Sequence, residues 1–184
     1  MTTKATLRAE LKARLRGLSP SERRRQSEAL CHLLAADPRL QQVRTLGAFI
    51  PLPDEPDITH LLRDALSRGV RLGVPAPDEG GIWRFAEVRA LSPLAPGPLG
   101  VPLPPLGQTL PVEEFEMILV PGRGFTPDGD RLGRGKGIYD RLLLHATGDT
   151  CGVAFDVQRL GVCPHEPHDL RMRRVVFAPS KKGR

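Results

Sequence analysis

The 184-residue sequence is 40% hydrophobic and 26% charged, a composition that excludes a disordered chain and a length that suits one domain. No apolar run approaches the ~18 residues of a membrane span, and the opening M-T-T-K-A-T-L-R-A-E-L-K lacks the apolar stretch of a secretory signal, so the cytoplasm is the expected compartment. The net charge of +6 is unevenly placed: residues 1–25 carry eight Lys/Arg against two Glu, residues 171–184 carry six Lys/Arg and no acid, and the middle is net acidic, unlike the uniform face of a nucleic-acid binder.

In chain order, Leu7, Leu11, Leu15 and Leu18 mark an amphipathic helix over 4–17. Ser19, Pro20 and Glu22 form the start signal of a second helix, with the N-cap, first helical residue and N3 partner of a capping box. That helix runs to about residue 36, with Pro38 ending it. V-R-T-L-G-A-F-I (43–50) reads as a strand, 51–57 as a loop, 58–68 as a helix with Gly69 as its C-cap, and 70–75 as a second strand. Strand, helix, strand implies a parallel crossover. Residues 82–88 suit one strand, and the seven prolines from Pro93 to Pro111 suit an irregular surface excursion. M-I-L-V (117–120) is continuously apolar, as a central strand buried on both faces must be. A glycine-rich loop follows, then a helix over 136–145 and strands over 150–155 and 173–178. The sum is a single-domain α/β fold: a three-layer, doubly wound, mainly parallel, Rossmann-like sheet with helices on both faces. Residues 179–184 suit a flexible tail.

Ligands of such sheets bind beyond the carboxyl ends of the strands, which is where the loop over 121–137 lies. It holds Gly122, Gly124, Gly129, Gly133, Gly135 and Gly137, positions at which backbone N–H groups can approach an oxyanion closely. Arg131, Arg134 and Lys136 add cationic partners for phosphate, and the following helix N-terminus adds further donors. No Walker A or dinucleotide fingerprint is present. The three cysteines, Cys31, Cys151 and Cys163, show no C-x-x-C spacing and read as small apolar residues in a reducing compartment. No Ser/His/Asp or Cys/His arrangement suggests a covalent nucleophile.

The string L-V-P-G-x-x-F-x-x-x-G-x-R-L-G-R-G-K-G-x-Y-D (119–140) resembles the signature of the 5-formyltetrahydrofolate cyclo-ligases, or methenyltetrahydrofolate synthetases. Three further segments resemble that family in order: the opening K-A-T-L-R-A-E-L-K-A-R-L, with Lys4 and Arg8 one turn apart; P-D-E-P-D-I at 53–58; and H-E-P-H-D at 165–169. The resemblance implies a scaffold related to sugar-phosphate isomerases and CoA transferases. It implies conversion of 5-formyltetrahydrofolate and ATP to 5,10-methenyltetrahydrofolate, ADP and phosphate, with Mg2+. Residue by residue, it places ATP at Lys4, Arg8, Arg131, Leu132, Gly133, Arg134, Gly135, Lys136, Gly137, Ile138 and Tyr139. It places folate at Leu52, Glu55 and Asp57 and along Arg134–Ile138, and magnesium at Asp140 and Asp169. Arg134 and Lys136 stand nearest the chemistry. Small-molecule substrates, no membrane or nucleic-acid partner and a monomer are the accompanying expectations.

Each residue also has a plainer role open to it. Lys4 and Arg8 suit a solvated helix face, Asp140 a pair with Arg141, and Asp57 the N-cap of the helix at 58–68. Trp83 and Phe85, at i and i+2, suit either stacking on a pteridine ring or filling one face of a strand. His165, Glu166 and His168 match no usual zinc spacing. The chain departs from the family pattern at Ile138, where a tyrosine is usual, at Thr126, where an aspartate is frequent, and at Pro56 and Ile58 beside the folate residues. Outside the resemblance, the loop also suits an enzyme of sugar phosphates or coenzyme A, and the basic ends suit an RNA-binding module.

Overall fold

The computed structural model describes residues 3–166 and 169–180. His168, and the last four residues of the tail expected at 179–184, lie outside that range. Helix α1 (Lys4–Arg16) is capped by the Thr3 hydroxyl, which accepts the Thr6 amide, and buries Leu7, Leu11 and Leu15. Helix α2 (Pro20–Ala35) is capped by Ser19, whose hydroxyl accepts the Glu22 amide at 3.2 Å. Pro38 opens a further short helix, α3 (Pro38–Gln42), with the Asp37 carboxylate accepting the Arg39 amide at 2.9 Å. A proline preceded by a capping side chain is as good a start signal there as at Ser19-Pro20.

Seven strands form one sheet: β1 (Thr45–Gly47), β2 (Arg71–Pro77), β3 (Trp83–Val88), β4 (Leu106–Leu110), β5 (Met117–Val120), β8 (Asp149–Ala154) and β9 (Arg174–Phe177), in the order β4-β3-β2-β1-β5-β8-β9. The pairs from β2 through β1, β5 and β8 to β9 are parallel, while β3 and β4 extend the sheet antiparallel. The remaining strands, β6 (Gly124–Phe125) and β7 (Arg131–Leu132), form a hairpin inside the glycine-rich loop. Helix α4 (Thr59–Ser67) lies between β1 and β2 in the chain, and α5 (Ile138–Leu142) lies between β7 and β8.

β5 shows why its sequence is apolar throughout. Met117 and Leu119 join a core with Leu30 and Leu34 of α2 and Leu61 and Leu62 of α4. Ile118 and Val120 point the other way, into a core with Phe85, Phe115, Phe125 and Leu142. A strand with period 2 and helices on both sides has no polar face to offer. At ~1.5–3 kcal/mol per fully buried large side chain, the two clusters dominate the stabilising terms.

The structure corrects three boundaries. The ladder of β1 stops at Gly47, although Ala48, Phe49 and Ile50 remain buried as the chain leaves the sheet. The excursion after β3 returns as β4, an edge strand with four of its five residues exposed, so no apolar alternation announces it. The helix expected over 136–145 is the five-residue α5. So short a helix has little macrodipole, and the expected helix-terminus contribution to phosphate binding passes to side chains and the loop backbone.

Candidate active site

β1 and β5 lie side by side and parallel, and the sheet order reverses between them, since the chain goes from β1 outward to β2 and returns to the other side of β1 with β5. Beyond the carboxyl ends of this pair the two strand-to-helix loops must diverge, and a crevice opens. A cavity of about 710 Å³ occupies it, between the 48–55 segment, the 121–140 segment and the start of α1. All the residues carried into the site by resemblance line this cavity except Asp57.

One wall is cationic. Arg131 leaves β7 with a side chain only 5% exposed, donates to Asp140 Oδ1 at 2.7 Å and lies 5.5 Å from the Tyr139 ring centroid. Its Nε is the buried side-chain polar atom left without a hydrogen-bond partner among the described residues. An orphaned N–H of this kind costs ~1–3 kcal/mol unless an acceptor meets it. Arg8 Nε donates to the Gly133 carbonyl at 2.9 Å, which fixes α1 to the loop. Lys4 Nζ donates to Asp169 Oδ2 at 2.6 Å and lies 3.3 Å from Glu166. Burial works to lower the Lys4 pKa, but the bonds to Asp169 and Glu166 outweigh it and hold the ammonium above its ordinary value. Burial also pushes the Tyr139 phenol well up, so it stays neutral.

The other wall comes from the loop after β1. Glu55 is almost fully buried; its Oε2 accepts the Leu52 amide at 3.0 Å and its Oε1 accepts Arg134 Nη2 at 2.9 Å. Burial raises the Glu55 pKa more than Arg134 and the Leu52 amide lower it. Asp54 accepts from both Arg134 and Arg123. Burial opposes ionisation here too, but the two guanidinium groups prevail and hold Asp54 below the ordinary carboxylate range. Arg134 therefore ties the cationic loop to the 52–55 loop across the cavity. Underneath, Gln158 is completely buried, donating from Nε2 to the Gly122 carbonyl at 2.7 Å and accepting the Phe155 amide at 2.7 Å.

Among the described residues no group of three or more His, Cys, Asp or Glu is arranged to cage a metal. Asp140 and Asp169 are separate carboxylates on the cavity wall, a donor set that suits magnesium. That ion takes one or two protein carboxylates and completes its shell with water and substrate phosphate.

Asp57 belongs elsewhere. Its carboxylate accepts the Thr59 amide at 2.9 Å at the start of α4, its amide donates to Ser27 Oγ, and it lines a neighbouring groove. The expected N-cap position falls one residue later, at Ile58. Asp140 pairs with Arg131 and not with Arg141. Trp83 and Phe85 divide: Trp83 lines the cavity, whereas Phe85 is core, its ring 4.7 Å from that of Phe115. Thr126 is buried and holds the 126–130 turn, its hydroxyl accepting the Asp130 amide at 3.0 Å. Ile138 sits in the cavity lining as an apolar surface. Sequence reading missed Asp54 and Arg123, which lie inside quoted motifs but pair across 69 residues. It also missed Leu99 and Val101, which the proline-rich excursion brings to the cavity rim.

Known proteins share this sequence and this fold. The sequence model of the 5-formyltetrahydrofolate cyclo-ligase family matches residues 1–178. The 5-formyltetrahydrofolate cyclo-ligase of Mus musculus is 30% identical over 193 residues, covering 97% of this chain and 95% of the relative. That of Mycolicibacterium smegmatis is 33% identical, covering 95% and 93%. The NMR structure of Aquifex aeolicus 5,10-methenyltetrahydrofolate synthetase superimposes with a TM-score of 0.84 at 32% identity, covering 98% of this chain and 94% of that one.

Proposed function

The chain belongs to the 5-formyltetrahydrofolate cyclo-ligase family, and from that premise we propose that it converts 5-formyltetrahydrofolate and ATP to 5,10-methenyltetrahydrofolate, ADP and phosphate, with magnesium. One observation carries the reading: a cationic loop and a folate-side loop face each other across one cavity and are joined by Arg134.

The chemistry requires such a meeting point. A formyl oxygen on nitrogen does not leave as hydroxide at neutral pH. In the proposed sequence it attacks the γ-phosphorus, ADP departs, and the oxygen becomes part of a phosphate ester. The N10 amine then attacks the activated carbon, loses its proton and expels inorganic phosphate, which leaves the methenyl bridge between N5 and N10. Lys4, Arg8, Arg131 and Lys136 bind the phosphate chain and offset its charge; the orphaned Arg131 Nε supports an anion at that wall. Asp140 and Asp169 would hold magnesium, which when bound supplies charge neutralisation at the phosphoryl groups. Arg134 and Lys136 stand where the two substrates meet, and the low-dielectric walls formed by Ile50, Leu52, Trp83 and Ile138 orient the folate head and exclude water.

The test is a coupled assay of ATP consumption alongside the near-ultraviolet absorbance of methenyltetrahydrofolate in mild acid. Turnover that needs ATP, magnesium and 5-formyltetrahydrofolate together is the expected result. ATP consumed without the folate, or no methenyl product, overturns the reading.

A further inference from the structure

A formylated folate is longer than its reacting bicyclic head: a p-aminobenzoyl arm leads away from it and ends in the carboxylates of glutamate. Beside the first cavity lies a second, of about 1160 Å³, which shares Leu52 and Glu55 with it. A pocket of 300–1,000 Å³ suits about one drug-sized ligand, so a nucleotide and a whole folate need more than the first cavity provides.

The proline-rich excursion spans the junction. Ala95 and Leu103 pair as an isolated antiparallel bridge, exchanging N–H to O bonds of 2.8 and 2.9 Å. The segment between them is thereby held as a strap. Leu99 and Val101 line the first cavity; Pro96, Gly97, Gly100 and Pro102 line the second. Gly97 is required by space, because a Cβ there would lie 2.2 Å from the Val101 carbonyl oxygen. Leu99 is held in the left-handed region at φ 57, with its side chain half exposed at the rim. Such a conformation persists only where its surroundings enforce it.

The far wall of the second cavity carries charge without equal compensation. Arg23 donates to the carbonyl oxygens of Leu15 and Pro53, which carry no charge, and Arg24 makes no ion pair among the described residues. The acids nearby are mostly committed: Asp57 to the Thr59 amide, Asp64 to Arg68, and Glu55 to Arg134. Glu28 alone opposes the two arginines without such a partner, while His32 and His60 add nitrogen donors along the wall.

We propose that the second cavity receives the glutamyl arm of the folate beneath the 96–102 strap, and that Arg23 and Arg24 are the specificity-determining residues that bind its carboxylates. The proposal rests on the formylfolate reading of the first cavity. An arginine fork matches a carboxylate in geometry as well as charge, so the pair should distinguish folates by their glutamyl content.

The experiment compares 5-formyltetrahydrofolate with 5-formyltetrahydropteroate, which has the same head and ring but no glutamate. The expected ratio of kcat/KM between the two is at least about tenfold in the unmodified protein, the loss of one to two charge-assisted contacts. Arg24→Gln and Arg23→Gln each lower that ratio toward one, and Arg24→Lys, which keeps the charge but not the fork, falls between. Because the readout is a ratio, general damage to a variant cancels. A ratio near one in the unmodified protein, or a large ratio that neither arginine variant moves, overturns the proposal. Methenyl product from neither substrate removes the underlying reading instead, a result distinct from both.

Discussion

Lys4 and Arg131 are each committed to a carboxylate on their own wall, Asp169 and Asp140 respectively. Cations and anions are thus stored in adjacent pairs, one kind suited to phosphate oxygens and the other to a hard divalent ion. Asp140→Asn should raise the magnesium concentration for half-maximal turnover by about tenfold while the folate KM changes much less. Titration of magnesium and of folate in the same variant decides this, and equal losses of both would indicate a structural role. Arg134→Ala should lower kcat/KM by ~10²-fold or more, with a far-ultraviolet circular dichroism spectrum like that of the unmodified protein. An unchanged rate would reject its place at the meeting of the substrates. Asp54 links the walls differently, through acid stability. Its folded pKa lies below the unfolded value of 3.8, so its stabilisation is complete above that value and is lost as pH falls through the folded value. Asp54→Asn should therefore destabilise in urea unfolding at about pH 6 and make much less difference at about pH 2. A penalty independent of pH would contradict this.

At the scale of elements, the hairpin inside the glycine-rich loop does more than display phosphate ligands. Gly129, at φ 97, lies at its turn, and its carbonyl accepts the Met172 amide at 2.8 Å. A Cβ there would sit 2.1 Å from the Met172 carbonyl oxygen. The turn and the segment following Asp169 are thus held in register, which helps to position that carboxylate. Gly129→Ala should destabilise by more than ~2 kcal/mol. Gly81→Ala, also at positive φ but with nothing within 4 Å of its Cβ, should show only the conformational part, ~1 kcal/mol. Equal losses in denaturant melts would remove the role assigned to the Met172 contact. The elements legible in the sequence were those with strong periodicity or capping: the leucines of α1, Ser19-Pro20 before α2, and the apolar run of β5. β4 was not legible because an exposed edge strand has no buried face to leave a pattern. α3 carried the same signal as α2 in Asp37-Pro38, and was passed over because proline was read only as a stop.

For the molecule as a whole, the site arises from topology. The reversal of strand order between β1 and β5 opens the crevice, and chain segments more than a hundred residues apart supply its walls. Motif order made most of the lining legible: the 131–140 residues, Lys4, Arg8, Leu52, Glu55 and Asp169 all reach the cavity. Asp57 did not, because its carboxylate and amide are used at the start of α4. The Arg134 and Arg123 links to Asp54 were hidden because pairing across the sheet leaves no local spacing in the chain. The basic N-terminal stretch also acquires a role, since Lys4 and Arg8 from α1 complete the cationic wall. Among the described residues no helix is long and apolar enough to cross a membrane.

The central claim is that ATP and a formylated folate meet in this crevice so that the formyl oxygen takes the γ-phosphoryl group. Turnover of 5-formyltetrahydrofolate labelled with 18O in the formyl group, followed by mass analysis of the released phosphate, tests it most directly. The account predicts one labelled oxygen in each phosphate released. Unlabelled phosphate, with the label recovered in water, would contradict it.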